Sequence, residues 1–128
     1  MSTPREVAEA ISGHRFQDAY PALAHDVRWV AVGAGELVGR QAVIDACEET
    51  RTALASGTSE FLRFLVVADG DRVAVDAVGR YTDADGGISV VSSCDLYEFE
   101  GGSLTTITSY TVELDAEPGA AARPAGGG

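Results

Sequence analysis

A chain of 128 residues suits one domain, and 45% hydrophobic with 23% charged residues is an ordinary globular composition. A chain of this size buries about 68% of the surface its unfolded form exposes, enough for one real core. Nine basic residues against twenty acidic ones give a net charge of −11. Such a surface repels nucleic acid and anionic membrane, so neither is an expected partner.

No apolar run approaches the ~18 residues of a membrane span. The opening MSTPREVAEAIS lacks the apolar core of a signal peptide, which makes the cytoplasm the expected compartment. Cys47 and Cys94 form no CxxC pair and imply no disulfide framework. His14 and His25 alone do not resemble a metal site. No metal or cofactor is expected.

In chain order, Thr3-Pro4-Arg5-Glu6 reads as a capping box opening a helix that runs to about Ile11. Ser12-Gly13 ends it. Phe16, Ala19, Tyr20 and Leu23 then recur at helical spacing, with Pro21 predicting a break. The segment DVRWVAV alternates Val27, Trp29 and Ala31 against Arg28, Val30 and Val32, a first strand ending at Gly33-Ala34-Gly35. A short arm, ELV, can pair back on it. Arg40 to about Leu54 reads as a helix with Val43, Ile44, Cys47 and Leu54 on its inner face.

Long strands follow. EFLRFLVVA turns at Asp69-Gly70-Asp71 into RVAVDAVGRYT, which turns again into ISVVSSCDLYEFE. Gly101-Gly102 leads into the last strand, through Leu114. Gly79, inside a strand, predicts a bend or bulge. Residues 116–128, AEPGAAARPAGGG, have nothing to bury and read as a disordered tail after a domain of residues 1–115. Helices gathered against an antiparallel sheet make an α+β domain, and a strongly curved sheet leaves a pocket beneath them.

One acid stands out against this pattern. Strand alternation puts Asp95 on a face with Val91, Ser93, Tyr97 and Phe99. An ionised carboxylate there is costly, so it must be protonated, paired or solvated at a ligand site. Its partners in a purely structural role would be hydroxyls such as Ser93 or Ser109. In an apolar pocket where no Lys or Arg reaches the acid, Asp95→Asn is expected to be neutral or stabilising near pH 7. Trp29, Tyr81 and Tyr97 have the parity of the same face, and Ser109 and Thr111 fall on the inner face of the last strand. Phe16, Tyr20, Phe99 and Cys47 complete the expected pocket set, Cys47 also reading as a small core residue. His25 falls at a helix end and His14 in a loop after Gly13, with no local sign of a role for either.

ALAHDVRWVAVGAGELVGRQAVIDAC, DGDRVAVDAVGRYTDADGG and DLYEFEGGSLTTITSYTV resemble, in that order, segments of the nuclear transport factor 2-like superfamily. The resemblance spans roughly residues 5 to 115, and the SnoaL-like polyketide cyclases and ketosteroid isomerases are its nearest enzyme branches. It implies a cone-shaped, curved, mixed sheet wrapped around three helices, a deep apolar pocket and a homodimer. In ketosteroid isomerases an aspartic acid stands in the strand before the last turn, as Asp, apolar, any, any, Phe. Asp95-Leu96-Tyr97-Glu98-Phe99 matches that pattern and makes Asp95 the implied catalytic residue. The isomerases' general base aligns with Ala31, their first-helix tyrosine near Val7 and a third-helix tyrosine near Cys47. Ordinary steroid isomerase chemistry is therefore not expected.

Two functions stay open. One is a pocket for a small apolar or aromatic molecule, with isomerase- or cyclase-like chemistry at Asp95. The other is a non-catalytic ligand binder or dimeric interaction module. The dimer surface would be the outer sheet face, with Val90, Ser92, Cys94 and Leu96 beside Thr106, Thr108 and Tyr110.

Overall fold

A computed structural model describes residues 2–114, so the expected tail lies outside the described residues. Helix α1 (Pro4–Ser12) opens with the capping box: the Glu6 amide donates to Thr3 Oγ1, and the Thr3 amide donates to the Glu6 carboxylate at 2.8 Å. A 3-10 helix, Phe16–Ala22, follows. It tightens around Pro21, whose missing amide prevents the apolar stripe from continuing as an α-helix. Leu23 therefore begins strand β1 (Leu23–Ala31) instead of closing a helical turn.

Strand β2 (Gly35–Val38) pairs back antiparallel on β1, and helix α2 spans Arg40–Ala55. Strands β3 (Thr58–Asp69), β4 (Arg72–Thr82), β5 (Ile88–Glu100) and β6 (Ser103–Leu114) form an antiparallel meander. β6 returns to lie parallel to β1, giving one mixed sheet in the order β2-β1-β6-β5-β4-β3. No helix among the described residues is long and apolar enough to cross a membrane.

The inner face of the sheet has two halves. Towards the β5–β6 turn it carries Tyr97, Phe99, Leu104, Ile107, Val73 and Val75, all buried against Val7 and Ile11 of α1. Full burial of each such side chain contributes about 1.5–3 kcal/mol, so this half anchors the fold. The other half is left open beneath the helices and becomes a cavity.

Two irregularities shape that open half. The β3–β4 register shifts between Phe61 and Arg63, so Leu62 is the extra residue of a bulge. Strict alternation from Phe64 would send Phe61 to the outer face; the bulge turns it inward, opposite Gly79. The bulge expected at Gly79 is thus carried by the partner strand. Gly79 serves another purpose: a Cβ there would come within 2.5 Å of the Tyr81 hydroxyl. Its bare backbone lets the Tyr81 ring fold back across the strand.

The outer face exposes Leu96, Tyr110 and Val112. Val90, expected among them, is buried, shielded by Arg80 and Leu114 directly opposite on the neighbouring strands. Ion pairs cross this face and its edges, Arg63 with Asp76 and Arg80 with Glu60.

Candidate functional site

A cavity of about 710 Å³ opens between the sheet and the two α-helices. Every strand contributes to its wall: Trp29 from β1, Leu37 from β2, Phe61 from β3, Tyr81 from β4, Ser93 from β5 and Thr111 from β6. Six strands about 4.8 Å apart thus all reach the same cavity. Ile11, Phe16, Ala77 and Val91 make much of the wall apolar, while Glu36 and Thr50 stand exposed at the rim.

Asp95 lies where the packed half of the inner face ends and the cavity begins. It lines the cavity, yet only 9% of it is exposed. Each carboxylate oxygen accepts one hydroxyl: Ser109 Oγ donates to Oδ1 at 2.6 Å and Ser12 Oγ donates to Oδ2 at 2.8 Å. Behind each serine stands a second donor. Trp29 Nε1 donates to Ser109 Oγ at 2.8 Å. Tyr97 and Ser12 share a hydrogen bond of 2.6 Å, and because the Ser12 proton is committed to Asp95, Tyr97 is the donor. Two donor chains therefore converge on one carboxylate.

The electrostatics follow from this placement. Burial first, and then the Asp95 charge, push the Tyr97 phenol well above its ordinary range, so it holds its proton and keeps donating. Burial pushes the Cys47 thiol up to about 11, with Glu48 adding to the rise, which leaves a neutral thiol in the wall and no nucleophile.

A second polar group faces the same cavity. His14 follows Gly13 at the end of α1 with φ +67, a left-handed conformation that costs a non-glycine residue energy. Its ring lies 5.2 Å from Phe61, 5.7 Å from Phe16 and 5.8 Å from Tyr81, centroid to centroid. Its Nε2 stands 3.5 Å from the Tyr81 hydroxyl. Burial lowers the His14 pKa, and the nearby Asp95 charge partly restores it.

Of the residues expected at the site, Asp95, Trp29, Tyr81, Ser93, Ser109, Phe16 and Cys47 line the cavity. Three do not. Tyr97 and Phe99 share the inner face but lie on its packed half, each 1% exposed. Strand parity set their face correctly but not how far along it α1 reaches. Tyr20 turns away to donate to Glu48 Oε2 at 2.6 Å, because the 3-10 helix changes its angular position. Ser12 and Phe61 were not anticipated, and His14, weighed as a loop residue, carried no local sign of its place in the wall. Ser12 had a signal, being a polar side chain one turn after Ala8 on the buried stripe of α1. The inward turn of Phe61 had none, since it depends on the bulge. Among the described residues, no cluster of histidine, cysteine and carboxylate side chains could hold a metal ion.

A mixed sheet packed against helices around a largely apolar cavity, with a hydrogen-bonded acid in its wall, is the architecture of the nuclear transport factor 2-like class. Within that class the chain belongs to the SnoaL-like domain family, whose model matches residues 5–107. A nuclear transport factor 2-like protein of unknown function from Cytophaga hutchinsonii is similar at 27% identity and TM-score 0.73, over 84% of this chain and 94% of that one. A Kribbella flavida protein provisionally named a ketosteroid isomerase superposes with TM-score 0.65 at 20% identity, covering 90% and 82%. An LEH-like epoxide hydrolase from M. tuberculosis gives TM-score 0.64 at 18% identity, covering 85% and 82%. A search of curated proteins finds no match.

Proposed function

We propose that this domain binds a small apolar or aromatic molecule in its cavity and catalyses an isomerase- or cyclase-type proton transfer at Asp95. The observation that carries this reading is a carboxylate at the floor of an otherwise largely apolar chamber, fixed by two serine hydroxyls. Pinning both oxygens removes the reorganisation that a free side chain would undergo during proton transfer. Each oxygen accepts one hydrogen bond and so keeps a further lone pair free to accept a proton. With a guest whose carbonyl is followed by a β,γ C=C bond, Asp95 takes a proton from the α-carbon between them. The electron pair of that C–H bond forms an α,β C=C bond, and the carbonyl π pair moves onto oxygen, giving a dienolate. The proton returns to the γ-carbon as the β,γ π pair forms the new C–H bond and the carbonyl re-forms, which leaves the conjugated isomer and uses no cofactor.

A specific observation favours a second reading, a non-catalytic binder. The two serines already satisfy Asp95, and Ala31 stands in the cavity wall where related isomerases place their base. In either reading we propose a homodimer formed through the outer sheet face around Leu96, Tyr110 and Val112.

β-Tetralone, a flat aromatic ketone with acidic protons beside its carbonyl, separates the readings. Fluorescence or NMR titration reads binding, and loss of the α-proton signals in D2O reads proton transfer. Catalysis predicts binding with accelerated exchange that Asp95→Asn abolishes. Binding without acceleration identifies the binder. Absence of binding would remove the cavity reading.

A further inference from the structure

The open half of the cavity holds a polar pair that the Asp95 chemistry does not use. His14 reaches it from the end of α1, and Tyr81 reaches it from β4. Their separation of 3.5 Å is at the long limit of a hydrogen bond, so neither group is fully engaged by the other. Among the described residues no other side-chain hydrogen bond is made by either.

The surroundings hold this pair in place at some cost. His14 keeps a left-handed backbone although glycine precedes it, and three aromatic rings surround its imidazole. The β3 bulge supplies one of those rings by turning Phe61 inward. Gly79 supplies the space in which Tyr81 lies, since a Cβ would meet both the hydroxyl at 2.5 Å and Cζ at 2.8 Å. A strained residue, a bulge and a bare glycine thus converge on two polar atoms facing a cavity. Packing alone needs none of them, because an apolar side chain would fill the same wall without a polar atom to satisfy.

We infer that His14 and Tyr81 form an oxygen-binding station of the cavity, which receives a hydroxyl or carbonyl oxygen on a flat apolar ligand. The ligand oxygen sits beside the pair, on the cavity side, at the apex of a triangle that puts it within hydrogen-bond reach of both Nε2 and the phenol. Tyr81 donates to it, and His14 donates or accepts according to whether the oxygen is a carbonyl or a hydroxyl. Burial favours the neutral imidazole, the form that can do either. The ligand class is thereby narrowed from any small apolar molecule to an oxygenated aromatic or alicyclic one. Gly79 is a positioning residue, acting through Tyr81.

This inference rests on the reading of the cavity as a ligand site, and the experiment separates the two. Affinities for naphthalene and β-naphthol are measured by fluorescence on the wild type and on Tyr81→Phe, His14→Asn and Gly79→Ala. Asparagine is chosen because it tolerates the left-handed conformation. The quantity read is the ratio of the two affinities, which cancels their different hydrophobicity. Losing one hydrogen bond to the hydroxyl should lower that ratio about tenfold in Tyr81→Phe and in His14→Asn, with naphthalene affinity unchanged within roughly twofold. Gly79→Ala should lower it as well, by displacing the Tyr81 ring. If naphthalene binds and the ratio is the same in all four proteins, the station is overturned while the cavity reading stands. If neither compound binds the wild type, both fall. Should His14→Asn fail to fold, the imidazole 15N shifts of wild-type His14 decide its part. They must move with β-naphthol and not with naphthalene, and an equal response to both overturns the assignment.

Discussion

Asp95 accepts a proton-bearing hydroxyl at each oxygen, so the groups around it are matched to a carboxylate and to nothing else of the same shape. The expectation that Asp95→Asn would be neutral or stabilising assumed an acid in an apolar setting. The serines reverse it. The amide NH2 of asparagine would face a serine that already donates, and Ser109 also receives Trp29. Leaving one buried polar group mismatched costs about 1–3 kcal/mol. A lower Tm of Asp95→Asn at neutral pH is the expected result, and an unchanged or raised Tm would contradict the donor chains.

His14 gives a second prediction at this scale. Tyr81 and Asp95 are the titratable groups that face it across the cavity, and Arg15 adjoins it in the chain. Burial sets its folded pKa below the unfolded value of about 6.5. Between those two values the unfolded chain binds more protons, so stability rises with pH. The contribution is fully present above about pH 6.5 and is lost as pH falls towards the lower folded value. Tm followed from pH 7.5 to 5 should therefore fall more steeply in the wild type than in His14→Asn, which cannot titrate.

At the scale of elements, α1 matters beyond its own length, because its last turn delivers Ser12 to Asp95 and His14 to the cavity. Its first turn is held by the reciprocal Thr3 and Glu6 hydrogen bonds, which also lower the Glu6 pKa, the Thr3 backbone amide contributing most. Thr3→Ala removes the cap, and the expected loss is about 1 kcal/mol in denaturant unfolding. Elements also show where local patterns mislead. The stripe Phe16, Ala19, Tyr20 is helical in spacing, yet Pro21 converts it to a 3-10 turn and sends Tyr20 to Glu48. In β3 the alternation is genuine on both sides of Leu62 but changes phase there, a shift visible only against β4.

For the whole molecule, the exposed apolar side chains on the outer face of β5 and β6 contrast with a net charge of −11. A surface of like charge resists association everywhere except where apolar area is concentrated, which directs self-association to that face. Sedimentation at micromolar concentration should show a dimer, and Tyr110→Glu should shift it to monomer without changing Tm by more than a few degrees. A monomeric wild type would remove the outer-face interface and leave the cavity untouched.

The sequence by itself determined what is encoded at short range. The capping box, the turns at Asp69-Gly70 and Gly101-Gly102, and the alternation that gives Asp95, Ser93 and Ser109 one face are consequences of neighbouring residues and the two backbone periods. Those patterns, taken in order, were enough for the fold class and the family. Only the tertiary structure decided how the inner face is shared between core and cavity, because that depends on where α1 lies across strands far away in the chain. For the same reason it alone joined Ser12 to Asp95, eighty-three positions apart, and His14 to Tyr81, sixty-seven apart. A hydrogen bond between such residues leaves no periodic trace in either segment, since each satisfies its own local pattern whether or not the other is present.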